Sequence, residues 1–521
     1  MWCHNRLLRG PWHIAWVVVV TAVAEPMNVA HGQTRIAPVI SATEQYDTNV
    51  FSTPKSRLLP GVQPEDFITT MIPQVVTTST GRLVDANISV GALVVQYVNN
   101  PNLNYGGFNG SGAINLSRVG QLALPSLRSW SVFGTYQYTP SPSAFGGGGA
   151  GYGGAGFGGS GSSGVSGVGA QPGQPSPFGI GLVTQRVRTT SYSVGTDGIY
   201  ALAPTTDFRT SLTYNRISFG DQFQPNSQGQ NRLFSTSGLR VSSWLTTRVT
   251  ATDTLSLTYT HNLFSQQNTF DTDVGAATWS KLWSREFTST LSGGVTLQEP
   301  YTSTNTPTGT PRRVPAYLLP TGTASMTYRS GSSFISAAGE EGGVFGILPT
   351  LAGTLPPGGT LARGSYTVTL AYNVGVFPAY VGNSGALLSQ VVSLISSVGL
   401  TDHLTAQAGA NLGYNTQIGA TGNAIFKSYG TTETLNYLFT PTLRATLTHN
   451  WLGWDQSGVA AAGGTSSFSF SKHTILLGLT YVFGGQREFF RSETFFGSSP
   501  TGPGLEPGPS KSDTGGSDIK K

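Results

Sequence analysis

The chain has 521 residues, enough for several ordinary domains or one large barrel, and only 10% of them are charged, against about 25% in a typical soluble domain. The aromatic content of 11% argues against a chain that is disordered throughout, since disordered chains lack aromatic residues. The formal charge of +5 is spread along the sequence without a basic cluster, so no nucleic-acid partner is predicted.

Residues 1–32 have the features of a secretory signal peptide. Two arginines precede the apolar run "IAWVVVVTAVA", which has the length of a signal core and is too short for the ~20 residues of a spanning helix. Cleavage is possible after the small residues at 22–24 or between Gly32 and Gln33, where we place the boundary. The only cysteine, Cys3, would leave with this segment, so the mature chain is predicted to have neither disulfides nor thiolate metal ligands.

The body of the chain is a series of segments with apolar residues at every second position. Examples are "TLSLTYTHNL", "YTVTLAYNV" and "HLTAQAGANLGY". A period of two predicts β-strands, and Gly, Thr and Ser interrupt almost every helical pattern. The segment "ALLSQVVSLISSVGL" also fits a helix, and we predict a strand there from its context. Short and long connections alternate where they can be traced, which predicts a meander of hairpins.

The longest insertion, residues 141–179, is rich in glycine. Its chance G-x-G-x-x-G matches do not lie between a strand and a helix, so they do not predict a dinucleotide site. We expect a flexible loop dotted with aromatic residues.

The polar faces of these strands carry Thr, Ser, Asn and Gln rather than charged residues. In a soluble sandwich these faces would meet water and would need charge, whereas a transmembrane barrel turns its apolar face to lipid and its polar face to the lumen. Only a closed ring leaves no unpaired strand edge in lipid. We therefore predict an all-β fold for 33–483, a transmembrane antiparallel up-and-down β-barrel of about 16 strands, with an even count between 14 and 20. Aromatic residues near strand ends, Trp244 and Tyr259 among them, are expected to form interfacial girdles.

Several arginines share the polar faces of predicted strands with threonines and serines. Because an arginine in lipid would cost ~2–4 kcal/mol near the membrane midplane, we expect these side chains to face the lumen. There they would attract anions or, alternatively, serve a structural role by bonding neighbouring strands. The candidates are Arg209, Arg232, Arg240, Arg248 and Arg444.

The last alternating segment, "HTILLGLTYVF", ends on an aromatic residue. It resembles the terminal-strand recognition signal of bacterial outer-membrane proteins, in which a glycine precedes two alternating aromatics. Gly478, Tyr481 and Phe483 match that pattern, while Leu476 stands where a polar residue is usual. The resemblance implies outer-membrane lipid and the barrel-assembly machinery as partners. Residues 484–521, rich in Pro, Gly and Ser, are predicted to be a disordered periplasmic tail.

A second resemblance concerns the start of the mature chain, "ISATEQYDTNVFSTP" followed by "DFITTMIPQVV". It is similar to the start of outer-membrane β-barrel proteins associated with PEP-CTERM/exosortase and exopolysaccharide gene clusters. The resemblance implies a barrel in the cell outer membrane with possible export partners, and it carries no settled activity. The matching residues are Tyr46, Asp47, Asn49, Val50, Phe51 and Pro73.

No catalytic, cofactor or metal site is predicted. The pairs His261-Asn262 and His449-Asn450 cannot act as dyads, because adjacent strand residues point to opposite faces. The histidines of the mature chain also lack the close spacing of metal ligands. We therefore expect a protein that is not an enzyme and needs no cofactor.

Three functional hypotheses follow. The first is a porin-like passive or export-linked pore for small polar or anionic solutes or saccharides. The alternative is a non-conducting structural or assembly barrel that acts through partners in envelope or exopolysaccharide export. A third is a secreted, soluble β-rich adhesin. The solute, the oligomeric state and the open or plugged state of the lumen are not readable from the sequence.

Overall fold

The computed structural model describes twelve segments of the chain: residues 33–50, 63–139, 189–219, 236–265, 269–299, 301–303, 312–330, 363–378, 386–418, 425–440, 442–457 and 468–483. The predicted signal peptide (1–32), the Gly-rich loop (141–179) and the C-terminal tail (484–521) lie outside the described residues, so the statements about them remain predictions.

The described residues form one antiparallel sheet of 18 strands, in which each strand pairs with its neighbours along the chain. The first eleven strands of this sheet are β1 (Gln33–Asp47), β2 (Asp66–Thr80), β3 (Asp85–Tyr97), β4 (Tyr105–Asn115), β5 (Leu127–Thr139), β6 (Thr189–Ala203), β7 (Thr206–Phe219), β8 (Thr236–Arg248), β9 (Asp253–Ser265), β10 (Thr269–Leu282) and β11 (Phe287–Gln298). Two short strands, β12 (Tyr301–Ser303) and β13 (Arg312–Val314), form a separate hairpin. The sheet continues through β14 (Tyr317–Ser330), β15 (Tyr366–Pro378), β16 (Ala386–Gly399), β17 (Leu404–Ile418), β18 (Ile425–Thr440), β19 (Leu443–Ser457) and β20 (Phe468–Val482).

The first and last strands close the sheet into a barrel. β1 pairs with β20 in antiparallel register from Val39↔Val482 to Asp47↔Thr474, a pairing that we call the seam. The prediction of an all-β, up-and-down antiparallel barrel is confirmed. The observed 18 strands exceed the expected number of about 16 and lie within the predicted range.

Two features of the fold were not predicted. The helix α1 (Ser117–Ala123) connects β4 to β5, and the Asn115 side chain accepts a hydrogen bond from the backbone N–H of Ser117 at 2.9 Å. β4 itself, "YGGFNGSGAIN", is so rich in glycine that its alternation of large side chains is weak. Within the described segments, no helix has the length and apolar character needed to cross a membrane.

The two ends of the barrel differ. Most connections at the end where β1 begins are short, such as those between β6 and β7 and between β8 and β9. We call this the turn end and the opposite end the loop end. The connection between β14 and β15 is a long exception at the turn end, and the one between β9 and β10 is a short exception at the loop end. Because the strand count is even, the last strand β20 also finishes at the turn end.

Side chains alternate between two faces along each strand, as strand geometry requires. On the convex outer surface side chains diverge and stay exposed, whereas on the concave inner surface they converge and are buried. On β20 the exposed series is apolar from Ile475 to Phe483, and Leu477, for example, is 53% exposed. Large apolar side chains occupy the outer face around the ring: Ile36, Met71, Ile88, Leu212, Leu257, Leu291, Met326, Leu370, Leu394, Leu412, Leu435, Leu447 and Leu477.

Candidate functional site: the barrel interior

Small polar side chains line the inner face around the ring. They hydrogen-bond across strands: Thr260 Oγ1 donates to Ser242 Oγ at 3.1 Å, and the hydroxyl oxygens of Thr327 and Thr369 lie 3.1 Å apart. These side chains give the inner face a polar character with little fixed charge. Its buried members include Ser41, Thr70, Ser89, Ser193, Thr213, Ser242, Thr260, Thr278, Ser292, Thr321, Ser393, Asn411, Ser428, Thr448 and Thr474.

Arg209 on β7 is held in an ion pair and against an aromatic ring. Its Nε lies 2.8 Å from Asp197 Oδ1 on β6, and its guanidinium carbon lies 5.1 Å from the ring centroid of Trp244 on β8. Trp244 is buried on the inner face with 6% exposure. The expectation that Trp244 belongs to an interfacial girdle is therefore wrong, because its position in the alternation places it with Ser242 and Arg240 rather than with the apolar residues.

The other candidate arginines are spread over the inner face. Arg240 is buried, and its Nε donates to Ser242 Oγ at 2.9 Å. Arg444 on β19 donates through Nη2 to Asn436 Oδ1 on β18. Arg248 follows the same alternation as Arg240 and is exposed where β8 ends at the turn end. Arg232 lies outside the described residues.

A buried ion pair spans the seam near the loop end. Lys472 Nζ on β20 lies 2.7 Å from Asp47 Oδ2 on β1, and their side chains are 5% and 2% exposed. The same carboxylate accepts hydrogen bonds from Gln45 Nε2 at 3.3 Å and from the backbone N–H of Asn49 at 2.9 Å. We call Asp47–Lys472 the seam ion pair.

The residue after Asp47 continues the connection between the two strands. The backbone N–H of Thr48 donates to the His473 carbonyl at 3.0 Å, and the N–H of His473 donates to Thr48 Oγ1 at 2.9 Å. The Tyr46 hydroxyl donates to Glu65 Oε2 at 2.7 Å. The segment that carries the resemblance to exosortase-associated barrels thus joins the first strand to the last. Phe51 of that motif lies outside the described residues.

Val50, at the start of the connection after β1, and Leu103, in the connection between β3 and β4, pack against β2 and β3 at the loop end. Val50 packs with Ile68, Val95 and Leu103 in a buried apolar cluster that we call the mouth cluster. Beside it, Asp66 is fully buried and accepts three hydrogen bonds at 2.8–2.9 Å from the backbone N–H groups of Asn99 and Asn100 and the Asn100 side chain. Because Ile68 and Val95 lie on the inner face, these contacts narrow one side of the barrel mouth.

The proposed assembly signal lies at the turn end of β20. The exposed rings of Tyr481 and Phe483 contact edge to face, with centroids 4.7 Å apart. Gly478 lies on the inner face opposite Thr43, where an added Cβ would come 3.1 Å from Thr43 Cγ2. Recognition by the assembly machinery remains a prediction. Of the two residues at the expected cleavage position, Gln33 begins β1 and Gly32 lies outside the described residues.

The histidines find their partners on neighbouring strands of the outer face. His261 Nδ1 lies 2.9 Å from Asp273 Oδ1, while the adjacent Asn262 donates to Thr272 Oγ1 on the inner face. The prediction that His261 and Asn262 point apart is confirmed. Sequence spacing could not reveal Asp273 as the partner, since β9 and β10 meet only in the sheet. Among the residues described, no group of three or more His, Cys, Asp or Glu side chains is arranged to hold a metal ion.

Comparisons with known proteins give loose structural similarities only. No protein-family model and no curated protein sequence matches the chain. It is similar to the solved structures of Pseudomonas aeruginosa OccK1 (OpdK), with 9% identity and a TM-score of 0.40 over 86% of this chain and 99% of that one, and of Acinetobacter baumannii OccAB3, with 9% identity and a TM-score of 0.37 over 86% and 99%. The copper transporter OprC overlaps with a TM-score of 0.42 at 9% identity over 88% and 82%. The fold assignment rests on the strand pairing described above.

Proposed function

We propose that this chain is an outer-membrane β-barrel that forms a porin-like pore, passive or linked to export, for small polar or anionic solutes or saccharides. The observation that carries the proposal is the arrangement of the two faces: the outer face of the closed ring is mainly apolar, and the inner face is rich in hydroxyl-bearing side chains. The outer face can contact the acyl chains of lipid, because a closed sheet leaves no strand edge with unpaired backbone N–H and C=O groups. The inner wall instead suits water and solutes that exchange hydrogen bonds with it.

The two ends of the barrel support an orientation. Barrels of the outer membrane have short periplasmic turns and longer extracellular loops. The turn end would therefore face the periplasm, which places Gln33 and Phe483 on that side. The mouth cluster and the seam ion pair would then lie toward the cell exterior, where solutes enter. The resemblance to exosortase-associated barrels leads us to propose polysaccharide or protein export as the setting of the pore.

Purified full-length protein is expected to produce stepwise currents in planar lipid bilayers, because a lumen lined by hydroxyl groups holds water and ions. The migration of heated and unheated samples on a gel would first establish that the barrel is folded. Folded protein without current steps would reject the pore in favour of the non-conducting barrel. Folded protein that stays soluble without detergent would favour the secreted adhesin.

The double substitution Arg209→Gln and Arg240→Gln is expected to lower the preference of the pore for anions. Each change removes one positive charge from the inner wall, and a unit charge at ~8 Å in water changes the energy of a monovalent anion by about 0.5 kcal/mol, roughly a twofold change in its local concentration. The measurement is the reversal potential in a KCl gradient. Arg216→Gln is the matched control, since Arg216 is exposed on the outer face of β7. An equal shift in the control would contradict a role for the inner arginines.

A further inference from the structure

Three ionisable side chains form a hydrogen-bonded chain on the outer face of β18, β19 and β20. Glu433 Oε2 lies 2.7 Å from His449 Nδ1, and His449 Nε2 lies 3.3 Å from His473 Nδ1. The two imidazole rings are nearly parallel, with centroids 5.6 Å apart. We call Glu433, His449 and His473 the outer polar chain. Its carboxylate and first imidazole are only partly covered, with 49% and 40% of their side chains exposed.

Glu433 and His449 lie within the apolar belt, while His473 lies at its loop-end edge, directly opposite Trp451 in the strand pairing. On β18, Glu433 is four residues from Tyr429 and four from Tyr437, and both tyrosines share its face. At about 3.3 Å per residue and a strand tilt of ~40°, each tyrosine is roughly 10 Å away along the barrel axis. Aromatic contacts mark both levels: Tyr429 stacks on Trp451, and Tyr437 contacts Phe439 edge to face. A half-exposed carboxylate at this depth is unsuited to acyl chains, which can neither solvate nor hydrogen-bond it.

Small side chains flank the outer polar chain and would let a second sheet come close. Ala408 on β17 stands directly opposite Glu433 in the strand pairing, and Ala410 follows it on the same exposed face. Thr431 on β18 continues this low surface. Within membranes, small residues of this kind allow backbones to approach closely.

We propose that this face, from β17 to β20, is the interface between two copies of the chain in the membrane. The patch contains both an acidic group and basic groups, so it is complementary to itself. A two-fold pair requires that property, because the same surface meets itself across the axis. Association would replace lipid around Glu433 and His449 with polar groups from the partner. The inference depends on the membrane placement argued under the proposed function, and it does not depend on conductance.

Asp273, Tyr259 and His261 form a second polar group on the outer face, on β9 and β10, which can be compared with the outer polar chain. Asp273 accepts hydrogen bonds from both the Tyr259 hydroxyl at 2.7 Å and His261, and its side chain is 23% exposed. Small residues, Gly275 and Ala277, lie nearby on the same face of β10. This group thus has similar neighbours, but its carboxylate already has two donors and is covered by its own chain. We therefore assign the interface to β17–β20 rather than to β9 and β10.

Single cysteines placed on the two faces test the assignment. The only natural cysteine, Cys3, is first replaced by serine. Ala408→Cys, oxidised in outer membranes, is expected to give a disulfide-linked dimer, while Ala277→Cys on β10 is expected to stay monomeric. Cross-linking at Ala277→Cys alone, or at neither position, would overturn the proposal.

Removing the outer polar chain gives an independent test. In the Ala408→Cys background, Glu433→Leu with His449→Leu is expected to abolish the dimer, whereas His261→Leu with Asp273→Leu is expected to leave it intact. Heat-modifiable migration in the membrane fraction separates loss of dimer from loss of the barrel. If the Glu433/His449 variant does not fold, the two cysteine variants still decide the matter. A folded monomer carrying co-purified lipid would assign this face to lipid and overturn the dimer.

Discussion

Replacing Lys472 by methionine is expected to destabilise the closed barrel by about 3–5 kcal/mol, because it removes one member of a buried ion pair and leaves the other charged. Asp47, 2% exposed, would keep its hydrogen bonds from Gln45 and Asn49 and lose its cation. Since the pair joins the first strand to the last, the substitution should weaken the pairing of β1 with β20 that closes the barrel. The free energy of unfolding, measured by urea titration in lipid vesicles with the heat-modifiable gel shift as readout, checks this expectation.

The double variant Lys472→Met with Asp47→Leu is the control for that experiment. It removes both charges, and replacing a buried ion pair by apolar residues is often neutral or better. Most of the lost stability should therefore return, apart from the contribution of the hydrogen bonds that Gln45 and Asn49 donate to the Asp47 carboxylate. A single variant within about 0.5 kcal/mol of the original chain, the range typical of surface substitutions, would mean that the seam ion pair does not hold the barrel closed.

Features that depend on one strand at a time could be predicted from the sequence. The alternation in "HTILLGLTYVF" predicted the outer face of β20, and Leu477 and Tyr481 are exposed there as expected. The ambiguous segment around β16 is a strand, as predicted from context. Ser389 and Ser393 are buried on the inner face of β16, while Leu394 is exposed on the outer face. Pairing with β15 and β17 on both sides outweighs the helical spacing of its apolar residues.

Features that depend on which strands meet could not be predicted. Thr48 and His473 are 425 positions apart and become neighbours only when the ring closes. His449 and His473 lack the spacing of a site in sequence, yet their nitrogens lie 3.3 Å apart because β19 and β20 pair in that register. Trp244 was misplaced for a related reason. Aromatic residues favour strands on either face, so an aromatic near a strand end does not by itself reveal which face it occupies.

Introducing arginine at Leu477 is expected to cost about 2–4 kcal/mol of stability in lipid vesicles, because a cation on the lipid face is most costly near the membrane midplane. Leu477 lies on the outer face of β20, four residues from Tyr481, roughly 10 Å along the membrane normal at about 3.3 Å per residue and a tilt of ~40°. Urea unfolding of the refolded variant gives the loss.

Ser469→Arg is the matched control, since Ser469 is exposed on the same face of the same strand near the loop end. Arginine there should cost only about 0–1 kcal/mol, because it reaches the interface. The difference between the two positions is the decisive quantity. If the outer face met water, both substitutions would fall within about 0.5 kcal/mol of the original chain. Equal, small costs would therefore contradict both the membrane placement and the pore proposal, whereas a cost that rises with depth requires a hydrocarbon layer around the barrel.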